Sequence, residues 1–188
     1  DINFTNHGTI TAGDKSAFYC KTCPNTTFIN TGTMSGGNNA VVISHGDNTT
    51  ITNSGTITAT AANSGMSINQ SDGTVVTNTG TISGVGMGMQ SSNVDNSTIT
   101  NHGTISASAN LGYGILYEND GTNRVNNTLN NYGTISATSG SFADGIGIGR
   151  NANPMFNITI NNHGTISGSD NSIFILNSSS TGINIVTK

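Results

Sequence analysis

Charge is what this chain of 188 residues has least of: five Lys and Arg and nine Asp and Glu make up 7% of it, for a net charge of −4. Nucleic-acid binding needs clustered cations to displace counterions from phosphates, and anionic membrane surfaces ask for the same, so five basic residues exclude both partners. No stretch approaches the roughly 18 apolar residues of a spanning helix, and no charged-then-apolar leader precedes a cleavage site, so no membrane insertion by this segment is expected. Tryptophan is absent, proline occurs twice and cysteine twice. Hydrophobic residues reach only 32%, a level that usually accompanies disorder, but disordered chains also tend to be highly charged.

What fills the chain instead is 29 Asn, 29 Thr, 22 Ser and 25 Gly, more than half of all residues. They are organised by a repeat. The block Asn-x-Gly-Thr-(Ile/Met)-(Ser/Thr) occurs seven times, with its glycine at Gly8, Gly32, Gly55, Gly80, Gly103, Gly133 and Gly164, at spacings of 24, 23, 25, 23, 30 and 31. A looser apolar block falls once per repeat, as Ala17-Phe18-Tyr19, Val41-Val42-Ile43, Met66-Ser67-Ile68, Met87-Gly88-Met89, Ile115-Leu116-Tyr117, Ile146-Gly147-Ile148 and Ile173-Phe174-Ile175. Each repeat therefore carries about three short strands.

Two residues before the block's Asn stands Phe4, Phe28, Ile51, Val76, Ile99, Leu129 or Ile160, and four after it Ile10, Met34, Ile57, Ile82, Ile105, Ile135 or Ile166. Strand side chains alternate faces, so these positions point inward, and Thr9, Thr11 and their equivalents point outward. No repeat can bury its dry face alone, and strands of three or four residues have no stability alone, so the copies must stack. The expected fold is all-β: one parallel β-helix over 1–188, about seven three-stranded rungs starting near 3, 27, 50, 75, 98, 128 and 159. It should be wound right-handed, as parallel crossovers almost always are, with no significant helix.

Asn6, Asn30, Asn53, Asn78, Asn101, Asn131 and Asn162 sit at the corner with inward parity, where each amide is expected to pair with turn backbone and with the Asn one rung away. The glycine after next is expected to supply a turn with positive φ. Insertions near 110–113 and 124–127 in the fifth rung, and near 140–143 and 151–154 in the sixth, should bulge as surface loops.

The blocks written TNHGTIT, TNSGTIT, TNTGTIS, TNHGTIS, NNYGTIS and NNHGTIS resemble, over almost the whole chain, the repeats of bacterial autotransporter passenger domains. That resemblance implies secretion across two membranes, an outer-membrane translocator barrel lying outside this segment, and a passenger acting as adhesin, toxin or enzyme. It carries over no active-site residue, because the family shares no catalytic motif. The segment Ile183-Asn184-Ile185-Val186 reads as the opening strand of a further rung.

The chemistry-bearing residues are few. Cys20 and Cys23 lack the two further ligands of a zinc site and the βαβ context of a thioredoxin motif. A small disulfide in an oxidising compartment is the favoured reading over free thiols. His7, His102 and His163 share one phase of the repeat, but the closest two lie about 10 Å apart at the usual strand spacing, too far to share a metal. These, with His45, read as exposed turn residues. Asp47, Asp72 and Asp95 stack in consecutive rungs; a calcium column is the sharper reading and simple turn preference the favoured one. Arg124 and Arg150 gather with Glu118, Asp120 and Asp144 in the insertions without a nucleophile and base, so no enzyme, cofactor or metal is expected. Outward Thr9, Thr33, Thr56, Thr81, Thr104, Thr134 and Thr165 form a column flanked by Thr11, Ser35, Thr58, Ser83, Ser106, Ser136 and Ser167. Cross-strand stabilisation is the favoured reading, and ice binding the sharper one.

The function expected from these observations is a secreted or surface-displayed rod, outside the bacterial outer membrane, contacting a host cell-surface protein or glycan. Tyr113, Tyr117, Tyr132, Phe142, Arg150 and Met155 are the expected contact residues, since aromatic and Arg side chains anchor interfaces. Self-association along the polar ladders, ice binding, and a polysaccharide-acting enzyme are the alternatives, in that order.

Overall fold

The computed structural model describes residues 1–61, 63–119, 124–150, 155–176 and 179–188, with backbone alone at 124, 125 and 150. Its described residues contain strands and turns and no helix. Three parallel sheets run the length of the rod. The first holds eight strands, from Asn3–Asn6 to Asn184–Thr187; the second seven, from Thr9–Ala12 to Thr165–Gly168; the third seven, from Phe18–Lys21 to Ile173–Ile175. The chain visits the sheets in turn, so each rung pairs with the next one at the same place. The fold is a parallel β-solenoid of about seven turns, and Asn184–Thr187 adds an eighth strand to the first sheet by pairing with Thr159–Asn162.

Register in the first two sheets is the register of the repeat. Phe4 lies opposite Phe28, Phe28 opposite Ile51, Ile51 opposite Val76, and so on through Ile99, Leu129 and Ile160. The second sheet does the same with Ile10, Met34, Ile57, Ile82, Ile105, Ile135 and Ile166. These side chains form one continuous core, each fully buried member contributing about 2 to 3 kcal/mol of transfer free energy. At the N-terminal end Phe4, Phe18 and Phe28 pack together with ring centroids 4.4 to 5.1 Å apart.

The third sheet departs from the expected frame. Its core column is Phe18, Val41, Met66, Met89, Ile115, Ile146 and Ile173, followed two residues on by Cys20, Ile43, Ile68, Ser91, Tyr117, Ile148 and Ile175. In rungs one and four this is offset from the apolar blocks read as Ala17-Phe18-Tyr19 and Met87-Gly88-Met89. Small Cys20 and Ser91 occupy inward positions there, so apolar character alone does not mark the frame.

The repeat glycine also works differently from expectation. Positive φ among glycines occurs at Gly73, Gly140, Gly149 and Gly182, none of them in the Asn-x-Gly block. A Cβ on Gly55 would instead overlap the carbonyl oxygen of Gly32, and one on Gly80 that of Gly55. Successive rungs touch through backbone at this corner, and the glycine is there for close approach rather than for a left-handed turn. The left-handed work falls to the turn between the third and first sheets, where Asn25, Asn48, Asn96, Asn126 and Asn157 have φ between 52° and 61°. Thr22, His45 and Asn93, three residues before Asn25, Asn48 and Asn96, and Gln70, three before Gly73, share that conformation.

The insertions are partly structured. Arg124–Val125 and Met155–Phe156 pair as an extra two-stranded parallel sheet, so segment 124–127 is not a surface bulge. Asn127 is buried, and its Oδ1 accepts from the Ser97 hydroxyl at 2.7 Å and the Ser97 amide at 3.1 Å. Segment 151–154 lies outside the described residues.

Candidate functional site

The turns joining the second sheet to the third in rungs five and six present the most conspicuous surface of the rod. Ala107, Ala137 and Ala143 form a small buried cluster at their base. Asp144 N–H donates to Gly112 C=O at 3.0 Å, and Ser141 N–H to Asn110 Oδ1 at 2.6 Å. These bonds stack the two turns, placing Leu111 and Phe142 at equivalent points of successive rungs. Leu111 is 68% exposed and Phe142 60%. They are two of the nine large apolar side chains exposed among the described residues, and the stacked turns set them in neighbouring rungs.

Tyr113 extends the surface onto the third sheet. It is half-buried, and its ring fills the space left by Gly147, where a Cβ would come within 2.5 Å of the ring and 3.0 Å of Leu116. Leu116 points outward by strand parity yet is fully buried beneath this layer. Leu111 was missed in the sequence because it is neither aromatic nor cationic; an apolar side chain in a turn between two strands was the available signal.

The other expected contacts divide. Tyr132 is 48% exposed, at the corner between the first and second sheets. It is sandwiched by His102 and His163, with ring centroids 4.8 and 5.1 Å apart and planes within 12° of parallel. Tyr117 and Met155 are corrected: both are buried, Tyr117 because it occupies the inward position paired with Ser91 and Ile148, Met155 because its strand lies on the core and its sulfur accepts from Asn119 Nδ2 at 3.3 Å. Neither offers a side chain to a partner. The side chain of Arg150 lies outside the described residues.

The Tyr117 hydroxyl has no hydrogen-bond partner among the described residues, and burial pushes the phenol above the ordinary tyrosine range. An orphaned buried hydroxyl costs more than a deleted one. Tyr117→Phe is therefore expected to raise stability by about 1 kcal/mol, measured as a higher denaturant midpoint; a lower midpoint would show that the hydroxyl has a partner.

The corner asparagines form an unbroken ladder. Each Nδ2 donates to the next Asn Oδ1 at 2.8 to 2.9 Å, from Asn6 through Asn30, Asn53, Asn78, Asn101 and Asn131 to Asn162. It also donates to the carbonyl of the repeat glycine, 3.1 to 3.3 Å away. Asp47 and Asp72 act as turn residues: Asp72 N–H donates to Asp47 Oδ1 and Asp95 N–H to Asp72 Oδ1, each at 2.9 Å. Cys20 and Cys23 are both buried and disulfide-bonded, with Cα atoms 6.0 Å apart.

His7 Nδ1 lies 2.7 Å from Thr31 Oγ1, and His45 Nδ1 2.9 Å from Ser44 Oγ. Among the described residues no three His, Cys, Asp or Glu side chains gather as metal ligands. Glu118 accepts from Gln90 Nε2 at 2.5 Å. Asp144 is buried and accepts from Asn171 N–H at 3.0 Å and Nδ2 at 2.9 Å. Asp144 aligns with Tyr113 while Glu118 ends that neighbouring strand, a separation of about 16 Å along the sheet. The expected charge cluster does not bring these two carboxylates together, and Asp120 and the side chain of Arg124 lie outside the described residues.

The fold defines the class as a parallel β-solenoid repeat protein. No protein-family model, curated protein or solved structure matches the chain.

Proposed function

We propose that this chain is part of a secreted or surface-displayed bacterial rod of the autotransporter passenger kind, whose work is non-catalytic contact with a host cell. The observation that carries this reading is the Leu111 and Phe142 pair, held open to solvent on stacked turns. Strand pairing above and below fixes those turns, so burying the pair against a receptor costs little ordering entropy. The Cys20 and Cys23 disulfide suits an oxidising compartment outside the cytoplasm.

The test is binding of the purified, fluorescently labelled chain to mammalian cells, with and without protease treatment of the cell surface. Saturable, protease-sensitive binding is expected. A Leu111→Ser/Phe142→Ser double variant should weaken it at least about 30-fold, the loss of a central anchor pair worth some 2 kcal/mol. Absence of binding, or binding indifferent to the double variant, overturns the reading.

A second reading, ice binding, draws support from the first sheet. There Thr27, Thr50, Thr98, Thr128 and Thr159 fall in one outward column broken only by Val75, beside the hydroxyl columns of the second sheet. Thermal hysteresis abolished by bulky replacements at Thr81 and Thr104 would establish it.

A further inference from the structure

We infer that the N-terminal end of the third sheet carries a binding groove for an anionic saccharide, with Tyr19 as its platform. A cavity of about 390 Å³ opens there between the Tyr19 ring, the Val42 side chain and two turns bearing Lys15, Ser16, Asn38 and Asn39. Its size falls in the range of small-ligand sites. Tyr19 and Val42 are register partners on the outward face, yet Tyr19 is 61% exposed and Val42 only 8%. The ring therefore stands as a wall beside a recessed apolar floor.

The polar groups around the groove are donors. Asn39 Oδ1 is occupied by the Ser64 N–H at 2.9 Å, and Asn38 Oδ1 by Asn63 Nδ2. Both amides thus spend their acceptor oxygens on the third rung, and their NH₂ groups have no partner among the described residues. Lys15 adds an ammonium, and Ser16 a hydroxyl. Lys21, two residues beyond Tyr19 on the same strand, faces outward like the ring. Of the charged groups at this end of the sheet, Lys15 lines the cavity, Asp14 precedes it in the same turn, and Lys21 lies farther along the strand toward the turn that carries Asp47.

An aromatic ring takes the C–H face of a sugar, amide and ammonium donors take its oxygens, and the cations take a carboxylate or sulfate on the ring. A peptide offers donors and acceptors in equal number and would leave the NH₂ groups competing with its own N–H groups. The groove lies in rungs one and two, about 19 Å along the axis from the Leu111 and Phe142 turns in rungs five and six. Its occupancy does not depend on that surface.

The test is a ¹H–¹⁵N titration of the whole chain at constant ionic strength with methyl glucuronide, methyl glucoside, glucose 6-sulfate and inorganic sulfate. Shifts centred on the amides of Tyr19, Asn38, Asn39 and Val42 are expected with either anionic sugar, and at least tenfold weaker binding with the neutral glucoside. Tyr19→Ala, at an exposed ring, should weaken glucuronide binding at least tenfold and leave the remaining spectrum superimposable. Lys15→Gln should weaken it severalfold and flatten its salt dependence. The Leu111→Ser/Phe142→Ser variant should bind the sugar as the parent does. The inference is overturned if glucuronide leaves these amides unmoved, if glucoside binds as well, if Tyr19→Ala changes nothing, or if inorganic sulfate alone reproduces the effect.

Discussion

Replacing Asn78 by Ala is expected to destabilise the rod by about 4 kcal/mol, because it orphans several buried groups at once. The Asn78 Nδ2 donates to Asn101 Oδ1 at 2.8 Å, to Gly80 C=O at 3.2 Å and to Thr104 C=O at 3.3 Å, while its Oδ1 receives Asn53 Nδ2 at 2.8 Å. Water cannot replace these partners, since the side chain is fully buried. Asn78→Asp should be no milder at neutral pH: it retains the acceptor toward Asn53 but turns a second oxygen toward Asn101 Oδ1 and two carbonyls. Asn162 is the control. Its side chain is only partly buried, receives Asn131 Nδ2 at 2.8 Å, and among the described residues exchanges its other bonds with the Gly164 backbone, so Asn162→Ala should cost about 1 to 2 kcal/mol. Denaturant midpoints followed by far-ultraviolet circular dichroism measure both. Solenoid stability is carried by nearest-neighbour interfaces, so a break in the fourth rung should also broaden the transition by uncoupling the rungs on either side. Equal losses at positions 78 and 162 would sink the ladder as the source of the effect.

The strict positions of the repeat were legible in the sequence, and the loose ones were not. Phe28 and Met34 could be placed inside because a six-residue block repeats around them, and their burial follows from alternation alone. The third sheet has no such block. Its inward positions admit Cys20 and Ser91 and its outward positions admit Val42 and Leu116, so polarity stops reporting on face. Tyr117 shows the same limit: a phenol in an inward column cannot be told from an exposed one by residue type. The opposite holds for Leu111 and Phe142, whose turns could be located from repeat length while their exposure depended on how the turns stack. Val42 and Tyr19 complete the point. They are register partners with the same parity, but Tyr19 stands on the edge strand of the third sheet while Val42 lies between Tyr19 and Ser67, and residue type reports neither.

Gly80 and Gly73 separate the two reasons a rung needs glycine, and Asn substitutions at each should give opposite results. At Gly80 a Cβ would overlap Gly55 C=O and lie 2.7 and 2.8 Å from the carbonyl carbon and oxygen of Ser54. All three are backbone atoms, pinned by the Thr81 N–H to Gly55 C=O bond of 2.9 Å and the Gly80 N–H to Asn53 C=O bond of 3.2 Å. Relief requires prising two rungs apart at the corner, so Gly80→Asn should cost about 3 kcal/mol or more. At Gly73 φ is +67°, in the column where five other rungs already place Asn at similar angles. A Cβ there meets only the Asn48 amide end, at 2.8 Å, and a side-chain amide can turn. Asn126 Nδ2 donates to Asn96 Oδ1 at 3.1 Å in the same column, so an Asn at 73 has a ladder waiting for it. Gly73→Asn should therefore change stability by less than about 1 kcal/mol, with a gain favoured because the unfolded chain loses glycine's freedom. If both variants fall equally, the block glycine is a conformational residue after all; if Gly80→Asn alone falls, the Asn-x-Gly spacing is a packing rule, and any residue with a Cβ is barred from it whatever its φ preference.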